Sequence, residues 1–262
     1  MRLRFEDDQQ AASAAAASPG ATPLIAAYKS IKENQMFRKL YRYGRIGLAA
    51  AAISLFLVPA AQAQSEQQAM VDKAQTTLSN FLRDPDMAWF QHNLRRARAV
   101  LIAPEVVKAG FIFGGSGGRG LVLAHDAATN QWRGPAFYTL ATASVGFQAG
   151  VAVSEVVTMV MTDKGVNTLL APSAKLGGDA SVAAGPVGAG ASGDVTTDFV
   201  SFARSKGVYG GLNLDGTLIT INNDWNSAYF GKSVLAPDIL VRGNVQSKQA
   251  AQILQMVTNA SK

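Results

Sequence analysis

The chain has 262 residues, with 24 Lys+Arg, 18 Asp+Glu, two His, no Cys and a formal net charge of +6. That length buries a real core in one or two domains. The lack of Cys excludes disulfide frameworks, thiolate nucleophiles and Cys-based zinc sites, and two His do not make a His-rich metal site.

The charge excess is local. Residues 1–63 carry eight Lys/Arg against four Asp/Glu, leaving 16 against 14 in residues 64–262, a net of +2 there. A nucleic-acid partner is therefore not expected. Arg38, Lys39, Arg42 and Arg45 form a basic n-region, and Ile46 to Val58 is an uncharged apolar run. Ala61-Gln62-Ala63 is an A-x-A cleavage box. The run is short for a bilayer span, so a retained anchor is the alternative to a cleaved signal. Met36 stands just before the basic cluster, and the Ala- and Ser-rich residues before it lack a periodic core. The expected division is an upstream extension, non-native or disordered, over 1–35, a signal peptide over 36–63 and a mature domain over 64–262. A genuine long n-region is the alternative for the first part. A Cys-free exported chain of this type points to the periplasm or secretion.

Residues 66–82 predict a helix, with Met70, Ala74, Leu78 and Phe81 at helical spacing. Asp84-Pro85 restarts a helix with Asp as N-cap, and Met87, Phe90, Leu94 and Ala97 form its stripe. Arg95, Arg96 and Arg98 are expected in its last turn, where cations favour the dipole. Short apolar runs between Gly clusters then predict strands over 109–113, 120–125, 136–142, 144–150 and 151–161. Val151 to Met161 reads as a central strand and Asp163 to Leu170 as a short helix stopped by Pro172. The Gly- and Ala-rich stretch 176–193 is either flexible or a place of close strand approach. Asp215-Gly216 between Gly207–Leu214 and Thr217–Asn222 predicts a hairpin with a type I′ turn. A last helix starts at Ser247, with Ala250, Ile253, Leu254 and Val257 on one face. The fold class is α+β: a single domain whose mainly antiparallel, Gly-rich, barrel-like middle is bracketed by N- and C-terminal helices.

Two catalytic motifs lack their context. Gly115 to Gly120 matches G-x-G-x-x-G, but Leu121-Val122-Leu123 follows as a strand where a dinucleotide site needs a helix. Gly114 to Gly118 matches G-x-S-x-G around Ser116, yet the only later His is His125, nine residues on. No His or carboxylate cluster has metal-ligand spacing, and no cofactor is expected. Glu155, in an apolar run, is either a buried hydrogen-bonded carboxylate or lies at a strand edge. Lys108, Arg119, Arg133 and Lys206 adjoin Gly-rich turns. They are either solvated loop charges or an anion-attracting rim around exposed backbone N–H groups.

Leu101-Ile102-Ala103-Pro104, Val107 to Phe111, Gly114 to Gly120, Trp132 to Phe137, Ser144 to Gly150, Ala184 to Gly188, Ser205 to Gly211 and Asn226 to Lys232 stand in order along the chain. Together they resemble the SYLF domain family, from about 70 to 245. The resemblance implies a non-catalytic lipid-binding module with phosphoinositide ligands in eukaryotes, and actin binding in some members. It also agrees with an exported bacterial member. Arg133 departs from the small polar residue usual after the Trp. No SH3 or FYVE module is attached, so the eukaryotic scaffold role is not carried over.

The expected function is recognition of anionic phospholipid head groups at a membrane surface by an exported, peripheral protein. Lys108, Arg119, Arg133 and Lys206 would attract phosphate, while Gly114, Gly115, Gly117, Gly118 and Gly120 would donate backbone hydrogen bonds. Arg95, Arg96 and Arg98 would lie near head groups beside an apolar helix face. The alternatives are an envelope structural or protein-interaction module, actin-binding-like, and a serine esterase using Ser116.

Overall fold

Ser65 opens α1 (Glu66–Arg83), the first helix among the described residues, its side chain accepting a hydrogen bond from the Gln68 amide at 3.2 Å. The computed structural model describes residues 65–110, 113–145, 150–188, 196–205, 207–211 and 214–262. The expected extension, signal peptide and cleavage residues Ala61 and Ala63 lie outside the described residues, as does Lys206. Val71, Ala74, Leu78 and Phe81 form the buried stripe of α1. Asp84 then caps a 3-10 turn over Pro85–Met87, which leads into α2 (Ala88–Asn93) and a second 3-10 turn over Leu94–Arg96. Arg95 and Arg96 occupy that last turn as expected. Arg98 does not: Ala97 has already left the helix for extended backbone, and the Arg98 amide donates to the Val160 carbonyl at 2.7 Å.

Four long antiparallel strands follow: β1 (Ala99–Gly110), β2 (Phe113–Asp126), β3 (Gln131–Val145) and β4 (Gly150–Val160). The sequence suggested five shorter ones. Most of β1 escaped because Pro104 interrupts its apolar run; it falls at a bulge between Ile102 and Val106, where a strand tolerates a residue without an N–H. The stretch 144–150 is not a separate strand, since Ser144 and Val145 end β3 and Gly150 begins β4. Next come α3 (Asp163–Leu170), β5 (Ser173–Lys175), β6 (Val182–Ala184), β7 (Phe199–Ser205), β8 (Val208–Gly211) and β9 (Leu218–Ile221). The chain ends with α4 (Asn223–Phe230), α5 (Ala236–Leu240), a 3-10 turn over Lys248–Ala250 and α6 (Ala251–Ala260).

The strands form one curled, open sheet in the order β5-β9-β3-β2-β1-β4-β7-β6, with β8 on β7. Its named strand pairs are antiparallel except β6 with β7. The fold is therefore α+β with a mainly antiparallel half-barrel. The hairpin expected around Asp215-Gly216 is not made. β8 turns back onto β7, while β9 pairs with β3 and β5. Among the turn's residues only Gly216 has positive φ, at 79°, and Thr217 donates to Leu214, a type II pattern in place of I′.

The lower half of the sheet is buried on both faces. On one, Val100, Ile102, Leu121, Leu123, Val157 and Met159 meet α1, α2 and α6. On the other, Leu101, Val122, Ala136, Tyr138 and Val160 meet Leu169 of α3 and Ile239 and Leu240 of α5. Two-sided burial explains the near-continuous apolar runs 99–103, 121–124 and 156–160. In the Gly- and Ala-rich stretch, Gly185 lies against the Phe202 ring, where a Cβ would fall 2.1 Å from a ring carbon. Close approach is thus the reading that holds at Gly185.

Candidate functional site

The helical cover of the first face stops at one row of the sheet. There Lys73 of α1 pairs with Glu105 at 2.9 Å. Glu155 accepts from Thr77 Oγ1 at 3.1 Å and Asn80 Nδ2 at 3.4 Å, and meets Arg204 Nη1 at 3.1 Å. Glu155 is therefore the partly buried, hydrogen-bonded carboxylate of the two readings. Arg119 stands opposite Glu105 in the ladder, with its guanidinium 4.6 Å from the centroid of the Trp225 ring.

Beyond that row the strands continue without helices over this face among the described residues. The register aligns Val107, Gly117, Ala141 and Val153 in one row, and Ala109, Gly115, Ala143 and Val151 in the next. Directly opposed residues share a face, so these two rows form one apolar surface. It is open to solvent: Val107 is 45% exposed, Val153 52% and Val151 74%. Lys108, Ser116 and Thr142 align on the opposite face. Across 106–118 and 140–154 the sequence contains a single charged residue, Lys108.

The glycines of this end serve strand packing. A Cβ on Gly118 would lie 2.5 Å from the Glu105 carbonyl oxygen, and one on Gly120 would lie 2.7 Å from that of Ile102. The Pro104-Glu105 bulge leans onto β2 there, and only Gly lets it. The backbone of Gly114 to Arg119 is also paired to β1 on one side, and that of Gly114 to Gly120 to β3 on the other. The expected ring of free amide donors is thereby corrected: those amides belong to a two-sided ladder.

The predicted cations divide between the two ends of the sheet. Lys108 and Arg119 lie toward the projecting end. Arg95, Arg96 and Arg98 precede the first residue of β1, and Arg133 stands opposite Ala124 near the far end of β2. Lys108 is nine residues along β1 from Ala99, which is roughly 30 Å of strand. One rim cannot include both groups. Arg133 is bound to the Asp126 carboxylate and the Val241 carbonyl. Hydrogen bonds from the Thr129 side chain and the Ala128 amide, with the Arg133 charge, outweigh desolvation and hold the Asp126 carboxyl below its usual range. Arg98 reaches Asp163 at 3.5 Å.

Ser116 lies inside β2, with no strand-turn-helix elbow around it, and His125 is nine residues further along the same strand. His125 stacks on Trp132 with ring centroids 5.0 Å apart, and its Nε2 meets Asn130 Oδ1 at 3.0 Å. No group of three or more His, Asp or Glu is placed to hold a metal among the described residues. No helix among them is long and apolar enough to cross a membrane.

Sequence reasoning missed Val151 and Val153 as surface residues because the run 151–161 reads as a central strand, and Val107 because the strand predicted there began only at 109. Only Val156 to Val160 is central. The readable signal is the loss of every charge but Lys108 over two long segments of paired strands.

Residues 141–261 match the family model described as Ysc84: Las17-binding protein actin regulator. The chain is 27% identical over 180 residues to SH3 domain-containing YSC84-like protein 1 of Rattus norvegicus, covering 67% of this chain and 52% of the relative. It is 31% identical over 168 residues to Protein YSC84 of Saccharomyces cerevisiae, covering 62% of this chain and 35% of that protein. The chain spans about half the length of the mammalian relatives it matches, at 52%. No solved structure matches it. The chain carries a domain of the Ysc84, or SYLF, family.

Proposed function

We propose that this Ysc84-family domain is a non-catalytic module that docks on anionic phospholipid surfaces through the projecting end of its sheet. The observation that carries the proposal is the solvent-facing row of Val107, Val153 and Val151 on segments whose single charge is Lys108. An exposed apolar patch rimmed by cations suits the boundary between head groups and acyl chains. The three valines would enter that boundary, and Lys108 and Arg119 would meet phosphate. Each cation near an anionic surface contributes roughly 1 kcal/mol, so two cations give weak binding that the apolar face must strengthen. With a signal peptide over 36–63, this docking would take place on the periplasmic or outer side of a membrane.

The test is co-sedimentation of the purified chain with phosphatidylcholine vesicles, with and without phosphatidylglycerol. Binding to the anionic vesicles is expected, with loss in Val151→Asp/Val153→Asp at an unchanged circular dichroism spectrum. Equal binding by that variant would overturn the assignment. Absence of vesicle binding, with a dimer in size-exclusion light scattering that the same variant dissolves, would replace the membrane with a second copy of this chain.

A further inference from the structure

We infer that a second site, at the other end of the sheet, binds a phosphate monoester. A cavity of about 530 Å³ lies between the start of β3, the segment after α5 and the start of α6. Arg133, Arg242 and Lys248 line it, and no Asp or Glu does. Trp132, Val245 and Leu254 supply an apolar wall.

Carboxylates outside the lining hold both arginines. Asp126 and the Val241 carbonyl take two of the Arg133 nitrogens, and Asp238 takes Nη1 of Arg242 at 2.6 Å. A guanidinium has five N–H donors, so each keeps donors for a ligand while its orientation is fixed from behind. Gly243 completes the arrangement: its φ is +64°, and a Cβ there would lie 3.2 Å from Arg133 Nε and 3.3 Å from Cζ. The missing side chain is the space in which the Arg133 guanidinium rests. Lys248 makes no ion pair among the described residues and adds a mobile point charge.

With two of the three charges compensated from behind, the selectivity rests on donor number: two guanidiniums and the Lys248 ammonium match the three terminal oxygens of a phosphate monoester, where a diester offers two, and forked guanidinium donors suit tetrahedral oxygens. The ligand is thus a phosphate monoester, either a soluble one or the head group of a monoester lipid. The inference stands apart from membrane docking, which uses the opposite end of the sheet.

Glycerol 3-phosphate titrated calorimetrically into the full chain tests the soluble source. Phosphatidic acid vesicles, compared with phosphatidylglycerol vesicles, test the lipid source. Arg242→Gln and Lys248→Gln should each weaken binding about tenfold, the loss of one charge-assisted contact. Gly243→Ala should weaken it by displacing Arg133. Lys248 is exposed, so its variant keeps the fold and leaves the test intact if the others unfold. Residue-dependent binding of glycerol 3-phosphate assigns a soluble ligand. A preference for phosphatidic acid that is lost in Lys248→Gln, with phosphatidylglycerol binding retained, assigns a head group. Binding of neither probe, or binding equal in all variants, overturns the inference.

Discussion

Arg204 and Glu155 stand opposite each other in the β4–β7 ladder and pair at 3.1 Å, and the same carboxylate receives Thr77 and Asn80 from α1. One side chain thus joins α1 to the sheet at the row where its cover ends. Arg204 is further placed over the Tyr209 ring, 5.8 Å from its centroid. Glu155→Ala would leave the Thr77 hydroxyl, on a residue 1% exposed, without its acceptor and Arg204 without its counter-ion. The expected cost is about 1–3 kcal/mol, read as a lowered thermal midpoint. Glu155→Gln should recover part of it, because the amide oxygen still accepts from Thr77.

Two adjacent glycines give opposite expectations. A Cβ on Gly118 meets the Glu105 carbonyl at 2.5 Å and Val106 Cα at 3.2 Å, whereas one on Gly117 finds only the Leu140 carbonyl at an ordinary 3.6 Å. Gly118→Ala should destabilise by about 1–3 kcal/mol through overpacking against backbone. Gly117→Ala should be neutral or stabilising by up to about 1 kcal/mol, since it restricts the unfolded chain. Chemical denaturation of the two variants measures the difference.

Asp198 supplies the acid sensitivity. Burial raises its pKa, but hydrogen bonds from Thr162 and Ser181 and the charge of Lys164 outweigh that effect and bring it from 3.8 to about 2. A depressed carboxyl stabilises the fold above its unfolded pKa, and that contribution is lost as pH falls from 3.8 through about 2. The contribution is on the order of 2 kcal/mol near neutrality. Asp198→Asn should lower stability at neutral pH and flatten the slope of the unfolding free energy over that acid window. An unchanged slope would assign the acid sensitivity to other carboxylates.

The α+β class and the helices α1, α2, α3 and α6 were legible because each of these carries a local signal, whereas α4, whose buried residue is Asn226, and the five-residue α5 show no apolar stripe and were not anticipated. Ser65, Asp84, Thr162 and Ser247 are polar caps ahead of periodic stripes, and all four side chains accept from a backbone amide. Strand partners were not legible, because pairing is a long-range property. Asp215-Gly216 has hairpin chemistry, yet β9 gains more by joining β3 and β5, where Ile219 is buried. The glycines of β2 were noticed for their lack of side chains and assigned to a ligand. The bulge at Pro104-Glu105 that needs them lies on another strand, and nothing in β2 itself reveals it.

The separation of the cations makes the last prediction. Lys108 lies at the projecting end and Arg95 before the start of β1, roughly 30 Å of strand apart, while charges in physiological salt are screened within about 8 Å. A membrane that receives Val151 and Val153 is therefore in electrostatic contact with Lys108 and not with Arg95. Lys108→Glu removes one attraction and adds one repulsion, together worth about 2 kcal/mol or roughly thirtyfold in vesicle affinity. Arg95→Glu should leave that affinity within about twofold, because its charge lies several screening lengths from the docked end. Equal losses in the two variants would mean that the domain lies along the membrane on its helices and not on the end of its sheet.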